Sequence, residues 1–378
     1  MTPAGGSSPI QRRSTRAVDV GGVQIGGHAP VSVQSMTNTD THDAAATLHQ
    51  VKALADAGAD IVRVGIPDED AIEPFRRIVR ASPVPIVADV HFDHRLAIAA
   101  AEAGAAKLRI NPGNIGGPAK TQEVAKAAAA HGVAIRVGVN AGSLERRLRR
   151  KHGGSVPAAL AESAAEAVAT LEEIGFREVV VSIKAADVPP LVEANIAFAE
   201  QCDYPLHLGV TEAGLPGMGA IKSAVGIGAL LARGVGDTIR VSLTGDPCEE
   251  VRVGRRILQA LGLATGPELV SCPTCTRCRI DLEPLARDVW SAIRDLRVPI
   301  RVAVMGCEVN GPGEARDADV GIAGGRGFGL LFRRGEVVRR VEADEMASAL
   351  LAEVSAFVEA AAHPSERAEQ GGSTDDGA

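Results

Sequence analysis

Pro85-Ile-Val-Ala-Asp-Val90, His94-Arg-Leu-Ala-Ile-Ala-Ala-Ala-Glu-Ala103 and Ala106-Lys-Leu-Arg-Ile110 read in order as strand, helix and strand. The outer runs are short and aliphatic, as strands of a parallel sheet covered by helices are. The Ala-rich run between them favours helix, and Gly104 stands where a helix C-cap commonly sits. The same alternation extends both ways. Strands are expected at Val31–Met36, Ile61–Val64, Pro85–Val90, Ala106–Ile110, Ala134–Val139, Glu178–Ile183, Leu206–Val210 and Thr238–Leu243. Helices between them include Asp43–Ala57, His94–Ala103, Lys120–His131, Pro157–Ile174 and Ala220–Ala232, with Gly58, Gly104, Gly132 and Gly175 as stops. Eight strands, each followed by a helix, over roughly 250 residues is the arithmetic of a (β/α)8 TIM barrel. The structural rival, a doubly wound open sheet, needs fewer strands, and no Gly-x-Gly-x-x-Gly follows the first one.

The pattern changes near Leu261–Pro267. The expected organisation is a disordered arm at 1–15, a barrel at 16–264, a smaller α/β domain at 265–362 and a disordered tail at 363–378. Aromatic residues are only 2% of the 378-residue chain, so the core is built from Ala, Val, Ile and Leu. So few aromatics argue against a stacking platform for single-stranded nucleic acid, and a net charge of −7 gives nucleic acid no electrostatic footprint. The basic run Arg146–Lys151 reads either as a solvated face or as a docking patch for an acidic redox partner. No apolar stretch has membrane-span length and the start lacks an apolar signal core, so a cytoplasmic protein is expected. Its six cysteines then point to metal binding or catalysis rather than to disulfides.

In such barrels the chemistry sits at the C-terminal ends of the strands. Arg63, Arg109, Arg136 and Arg240 lie inside otherwise aliphatic strands, and Lys184 ends another. Charged side chains are almost never fully buried without partners, and the strand ends supply few acids. Five cations around one cavity predict an anion site of diphosphate size, since guanidinium forks match phosphate oxygens two at a time. For any single arginine an ion pair with a neighbouring carboxylate is an equal reading. Glu212, after the seventh strand, is either such a partner or the acid that protonates a leaving oxygen. Asp89 and His91 are candidates for substrate hydroxyls or structural residues of the mouth.

Four cysteines lie in the smaller domain: Cys272, Cys275 and Cys278 in two overlapping C-x-x-C spacings, and Cys307 in a Gly- and Pro-rich loop with Glu308 and Glu314. Four thiolates suit zinc. The small residues of the loop, which let backbone N–H groups approach cluster sulfurs, and its carboxylates favour an iron–sulfur cluster.

The chain closely resembles the bacterial two-domain 4-hydroxy-3-methylbut-2-enyl diphosphate synthases of the methylerythritol phosphate pathway, from about Arg16 to Ala360. The carriers are Ser32-Val-Gln-Ser-Met-Thr-Asn-Thr39, Ala88-Asp-Val-His-Phe-Asp93, Lys107-Leu-Arg-Ile-Asn-Pro-Gly-Asn-Ile-Gly116 and Arg136-Val-Gly-Val-Asn-Ala-Gly-Ser143. Leu206-His-Leu-Gly-Val-Thr-Glu-Ala-Gly214, Ser271-Cys-Pro-Thr-Cys275 and the segment Gly306–Gly324 complete them. The resemblance implies a [4Fe–4S] cluster on Cys272, Cys275, Cys307 and Glu314, with Cys278 a bystander. It implies two-electron reduction and dehydration of 2-C-methyl-D-erythritol 2,4-cyclodiphosphate, fed by flavodoxin or ferredoxin. Arg63, Arg109, Arg136, Asn140, Lys184, Arg240 and Ser242 would hold the diphosphate, with Asp89, His91, Asn111 and Thr211 also at the substrate, and Glu212 would act on its oxygen. Family members are homodimers in which the cluster domain of one subunit covers the barrel mouth of the other. Two other functions stay open: a non-redox hydro-lyase using the cluster as Lewis acid, and a zinc-binding barrel that recruits a partner.

Overall fold

The computed structural model describes residues 10–111, 114–296, 298–308, 313 and 315–362. The chain divides into two compact units between Ala264 and Thr265.

The first unit opens with a hairpin, β1 (Ala17–Val20) and β2 (Val23–Gly26). Gly21 and Gly22 form its two-residue turn, at φ 60° and 92°. Positive φ at both turn positions matches the twist of the flanking strands, which is why glycine occupies both. The eight barrel strands follow: β3 (Ser32–Met36), β4 (Ile61–Ile66), β5 (Ile86–Val90), β6 (Lys107–Ile110), β7 (Ala134–Asn140), β8 (Val179–Lys184), β9 (His207–Leu208) and β10 (Thr238–Ile239). Each pairs in parallel with its neighbours in chain order, β10 returns to β3, and a bridge between Val181 and Leu206 closes the ring. This is the expected TIM barrel. The last two strands are shorter than expected. Beyond Leu208 the backbone of Gly209 runs so close to the neighbouring strand that a Cβ there would lie 2.5 Å from the Arg240 carbonyl oxygen.

Period-two alternation divides each strand between two environments. Val62, Val64, Leu108, Ile110, Val137 and Val181 join the apolar layer under the helices. Ile61, Val87, Ala134 and Val180 point the other way and form the barrel floor, sealed by Val18, Val20 and Ile25 of the hairpin. The hairpin had no counterpart among the expected elements. The arm expected at 1–15 also departs from expectation where it is described: the Arg13 N–H donates to the Gly234 carbonyl at 3.0 Å, and Arg12 pairs with Asp237 at 2.9 Å. These contacts, one from the backbone and one from a part-buried guanidinium, tie this segment to the barrel. Residues 1–9 and the tail 363–378 lie outside the described residues.

The second unit is a five-stranded sheet: β11 (Glu268–Ser271), β12 (Arg301–Met305), β13 (Val320–Gly324), β14 (Phe328–Arg333) and β15 (Glu336–Glu342). The first three strands are parallel and the last two add as antiparallel neighbours. Helices Leu282–Ile293 and Met346–Ala362 pack on it through Leu285, Val289, Ile293 and Leu350 against Val302, Val304 and Ile322. The other face holds a smaller cluster around Met305, Ala323 and Phe332.

Candidate active site

The residues in phase with the barrel floor become charged toward the C-terminal ends of the strands. Register pairs Asp89 with Arg109, Arg109 with Arg136, and Asn140 with Lys184, so β5 to β8 present these side chains side by side. Arg63, Arg109, Arg136 and Lys184 are all buried, and Arg240 is nearly so. Two carboxylates meet them. Asp89 lies 3.2 Å from Arg109 and 3.8 Å from Arg63, and Glu250 lies 3.4 Å from Arg240. Arg136 and Lys184 have no carboxylate in salt-bridge range among the described residues. The site thus gathers five basic side chains around two acidic ones, an excess of three.

That imbalance shows in the ionisation of the groups. Burial first, and the other guanidinium groups second, push Arg63 down to about 10 despite the opposing charge of Asp89. The same causes hold Arg136 and Lys184 well below their usual ranges. Burial opposes ionisation of Asp89 too, but Arg63, a hydrogen bond from His91 and Arg109 prevail, and its carboxyl stays well below the usual range. An incoming polyanion would relieve the cations.

Other expected residues take these places. His91 is largely exposed, with Nε2 2.8 Å from Arg109 Nη1 and 3.4 Å from Asp89. Asn111 donates to Ser143 Oγ at 3.3 Å. Asn140, Thr211 and Ser242 are half-buried at or just beyond the ends of β7, β9 and β10. Glu212 is exposed, at φ 52°. A left-handed backbone at a residue with a side chain carries strain, of the kind that clusters at functional sites. No ion pair or hydrogen bond of its carboxylate occurs among the described residues, so the counter-charges of the arginines are Asp89 and Glu250 instead. The basic run forms a helix, Arg146–Lys151, in which Arg147 bonds Glu145 and Glu166, and Lys151 bonds Glu162.

Sequence reasoning missed three residues of the site, two of them in the barrel interior. Lys107 shares the inward phase of Arg109 two residues on, and His207 that of Thr211 four residues on; counting by two along each strand finds both. Glu250 enters from helix Pro247–Ala260, which strand phase does not reach. Its carboxylate also accepts from the Leu243 N–H at 2.9 Å.

In the second unit, Cys272 follows β11 directly and Cys307 comes just after β12. The strands are parallel neighbours with Ser271 paired to Val304, so both thiols leave the same end of the sheet. The Gly306 N–H donates to Cys272 Sγ at 3.2 Å. A Cβ on Gly306 would sit 2.7 Å from Cys278 Sγ, so only glycine lets both sulfurs close on this backbone. Cys278 itself donates to the Ile280 carbonyl at 3.3 Å. Cys275 is exposed, and the Arg277 backbone N–H, the largest influence, holds its thiol below the usual range. Among the described residues no three His, Cys, Asp or Glu side chains converge on one ion. A cluster keeps its ligand sulfurs farther apart than a single ion does, so thiols on adjacent strand ends beside a directed glycine N–H fit it. Glu314 lies outside the described residues.

Residues 15–255 match the GcpE TIM-barrel domain and residues 268–356 the GcpE protein C-terminal domain. The chain belongs to the GcpE family. Among relatives of this GcpE chain, the 4-hydroxy-3-methylbut-2-en-1-yl diphosphate synthase (flavodoxin) of Geobacter sulfurreducens is 56% identical over 344 residues, covering 91% of this chain and 98% of the relative. The enzyme of the same name from Natranaerobius thermophilus is 53% identical over 349 residues, covering 92% and 98%. Among solved structures, dihydropteroate synthase from Xanthomonas albilineans aligns at 17% identity and a TM-score of 0.47, covering 65% of this chain and 98% of that one.

Proposed function

We propose that this GcpE chain converts 2-C-methyl-D-erythritol 2,4-cyclodiphosphate into 4-hydroxy-3-methylbut-2-enyl diphosphate by reductive ring opening and loss of water. The observation that carries the reading is the excess of basic over acidic side chains at the barrel mouth, which suits a cyclic diphosphate that carries two negative charges and gains a third when its ring opens. Arg136 and Lys184, without carboxylates of their own, take the phosphoryl oxygens first. Arg63, Arg109 and Arg240 reach them while keeping Asp89 and Glu250 as anchors. Asn111, Asn140, Thr211 and Ser242 supply neutral hydrogen bonds around the rim, and Asp89 and His91 hold the orientation of Arg109.

Cys272, Cys275 and Cys307, with Glu314, would hold a [4Fe–4S] cluster, which when bound supplies single electrons to the substrate. Glu212 would pass the proton to the departing oxygen, from a left-handed backbone position beyond β9. Flavodoxin, which the relatives carry in their names, is the proposed donor and favours reduction over the hydro-lyase reading. The cytoplasm is the proposed compartment; no described helix is long and apolar enough to cross a membrane. A homodimer is the proposed assembly. The exposed stripe Leu215, Met218, Ile221 and Val225, at helical spacing on and just before helix Pro216–Leu231, supports it as a face for a second copy. The deciding experiment is anaerobic turnover of the cyclic diphosphate with and without a chemical reductant. Product that forms only when two electrons are consumed supports the reading; water loss without reductant would make the chain a hydro-lyase.

A further inference from the structure

Below the mouth, the barrel interior carries polar groups that the proposed reaction does not use. Lys107 opens β6 at 0% exposure, and its Nζ has no hydrogen-bond partner among the described residues. His207 on β9, also at 0%, has neither ring nitrogen partnered among the described residues. On β3, neither amide atom of Gln34 finds a partner among the described residues. One orphaned buried group costs about 1–3 kcal/mol, and native proteins leave few. Three orphaned side chains from three strands of one barrel, beneath an Arg136 whose Nε and Nη1 are themselves unpartnered, are a built feature. Lys107 pairs with Ala134, whereas Arg109 pairs with Arg136, so Lys107 starts two residues, or about 6.6 Å, deeper than the mouth arginine on its own strand.

We infer that this inner tier is a lower storey of the anion site, in which Lys107 takes up one proton from solvent when a diphosphate enters above it. The inference rests on the mouth being a diphosphate site. The groups facing Lys107 are almost all basic. Arg136 from β7 and Arg63 from β4 act on it most strongly. Arg109 stands above it on β6, and Lys184, His207 and Arg240 come from β8, β9 and β10. The acids of the mouth are already engaged: Asp89 on β5 is shared by Arg63 and Arg109, and Glu250 is held by Arg240. Burial, then Arg136 and Arg63, hold the ammonium well below the usual lysine range. Burial and the same cations also keep His207 neutral. A bound polyanion reverses the local potential and favours adding charge at this unpartnered amine; uptake at Lys184, held down by the same causes, would instead leave the Lys107 variants unchanged. The step is a plain protonation. A buffer acid gives its proton to the Nζ lone pair, no other bond changes, and the complex gains one positive charge.

The consequence is a signed pH effect. Between the depressed Lys107 value and the ordinary one near 10.5, uptake of one proton makes affinity fall about tenfold per pH unit as pH rises. The test is calorimetric titration of full-length anaerobic protein with inorganic diphosphate, near pH ~8, in buffers of different ionisation enthalpy. Wild type should take up about one proton more per site than Lys107→Met, and the steep pH dependence should flatten in the variant. Lys107→Gln, which keeps a donor but does not titrate there, guards against a folding defect and should behave like Lys107→Met. Unchanged uptake in both variants overturns the inference, as does uptake that survives in them and disappears in His207→Asn. Weaker binding with an unchanged proton count would make Lys107 a permanent cation and overturn it too. Failure of wild type to bind inorganic diphosphate at all removes the mouth reading itself, and this inference with it.

Discussion

Replacing Arg136 by Met separates arginines held for a ligand from arginines held for the fold. Arg136 is 2% exposed, two of its guanidinium nitrogens are unpartnered, and no carboxylate stands in range among the described residues. Removing it takes an uncompensated cation from the interior, worth a gain of about 1–3 kcal/mol in the free protein. For a unit of this size the middle of that range raises Tm by about 4–8 °C. The same change removes two charge-assisted hydrogen bonds to a phosphate, about 3–5 kcal/mol together, or roughly a hundred- to several-thousand-fold in Kd. Arg109→Met should do the opposite to stability. It leaves Asp89, 5% exposed, with Arg63 at 3.8 Å as its remaining guanidinium partner. The cost should be about 3 kcal/mol, the lower end for breaking a buried pair, because Arg63 still faces the carboxylate. Thermal melts with and without inorganic diphosphate read both effects. Arg136→Met should melt higher than wild type and lose the ligand-induced rise; Arg109→Met should melt lower. An Arg136→Met protein that melts below wild type and keeps the full ligand shift would refute the reasoning.

Glu212→Gln should leave diphosphate binding intact and lower turnover by roughly 10²-fold or more; near-normal turnover would reduce Glu212 to a structural residue. Ser in place of Cys272, Cys275 or Cys307 should abolish iron content and the broad absorption near ~400 nm, while Cys278→Ser should retain both, since its thiol already bonds the Ile280 carbonyl. Loss of iron in Cys278→Ser would show that the ligand set is wrong. Mixing Glu212→Gln with Cys307→Ser under subunit exchange should restore activity if the homodimer shares its sites, and silence despite proven exchange would show that each chain uses its own cluster.

The barrel was legible in sequence because its strands are continuous aliphatic runs and its helices alanine-rich, a local pattern that needs no tertiary information. Val-Gly-Gly-Val at 20–23 was equally local, a two-glycine hairpin turn, yet the strands around it are only four residues long and carry little period of their own. The mouth cations were legible too, since an arginine inside an aliphatic strand has no local reason to be there. What those arginines face was not. Asp89 serves two of them because β4, β5 and β6 lie side by side in register, and Glu250 reaches Arg240 from a helix packed outside the ring. Lys107 and His207 look, one residue at a time, like a strand-edge lysine and an ordinary histidine. Only closing the barrel brings their nitrogens together with Arg136 in a space that excludes water, because burial and mutual repulsion are properties of eight strands at once. Sequence by itself therefore determined which side chains are charged and which way each strand turns them; the tertiary structure decided which charges are balanced and which are left for a ligand.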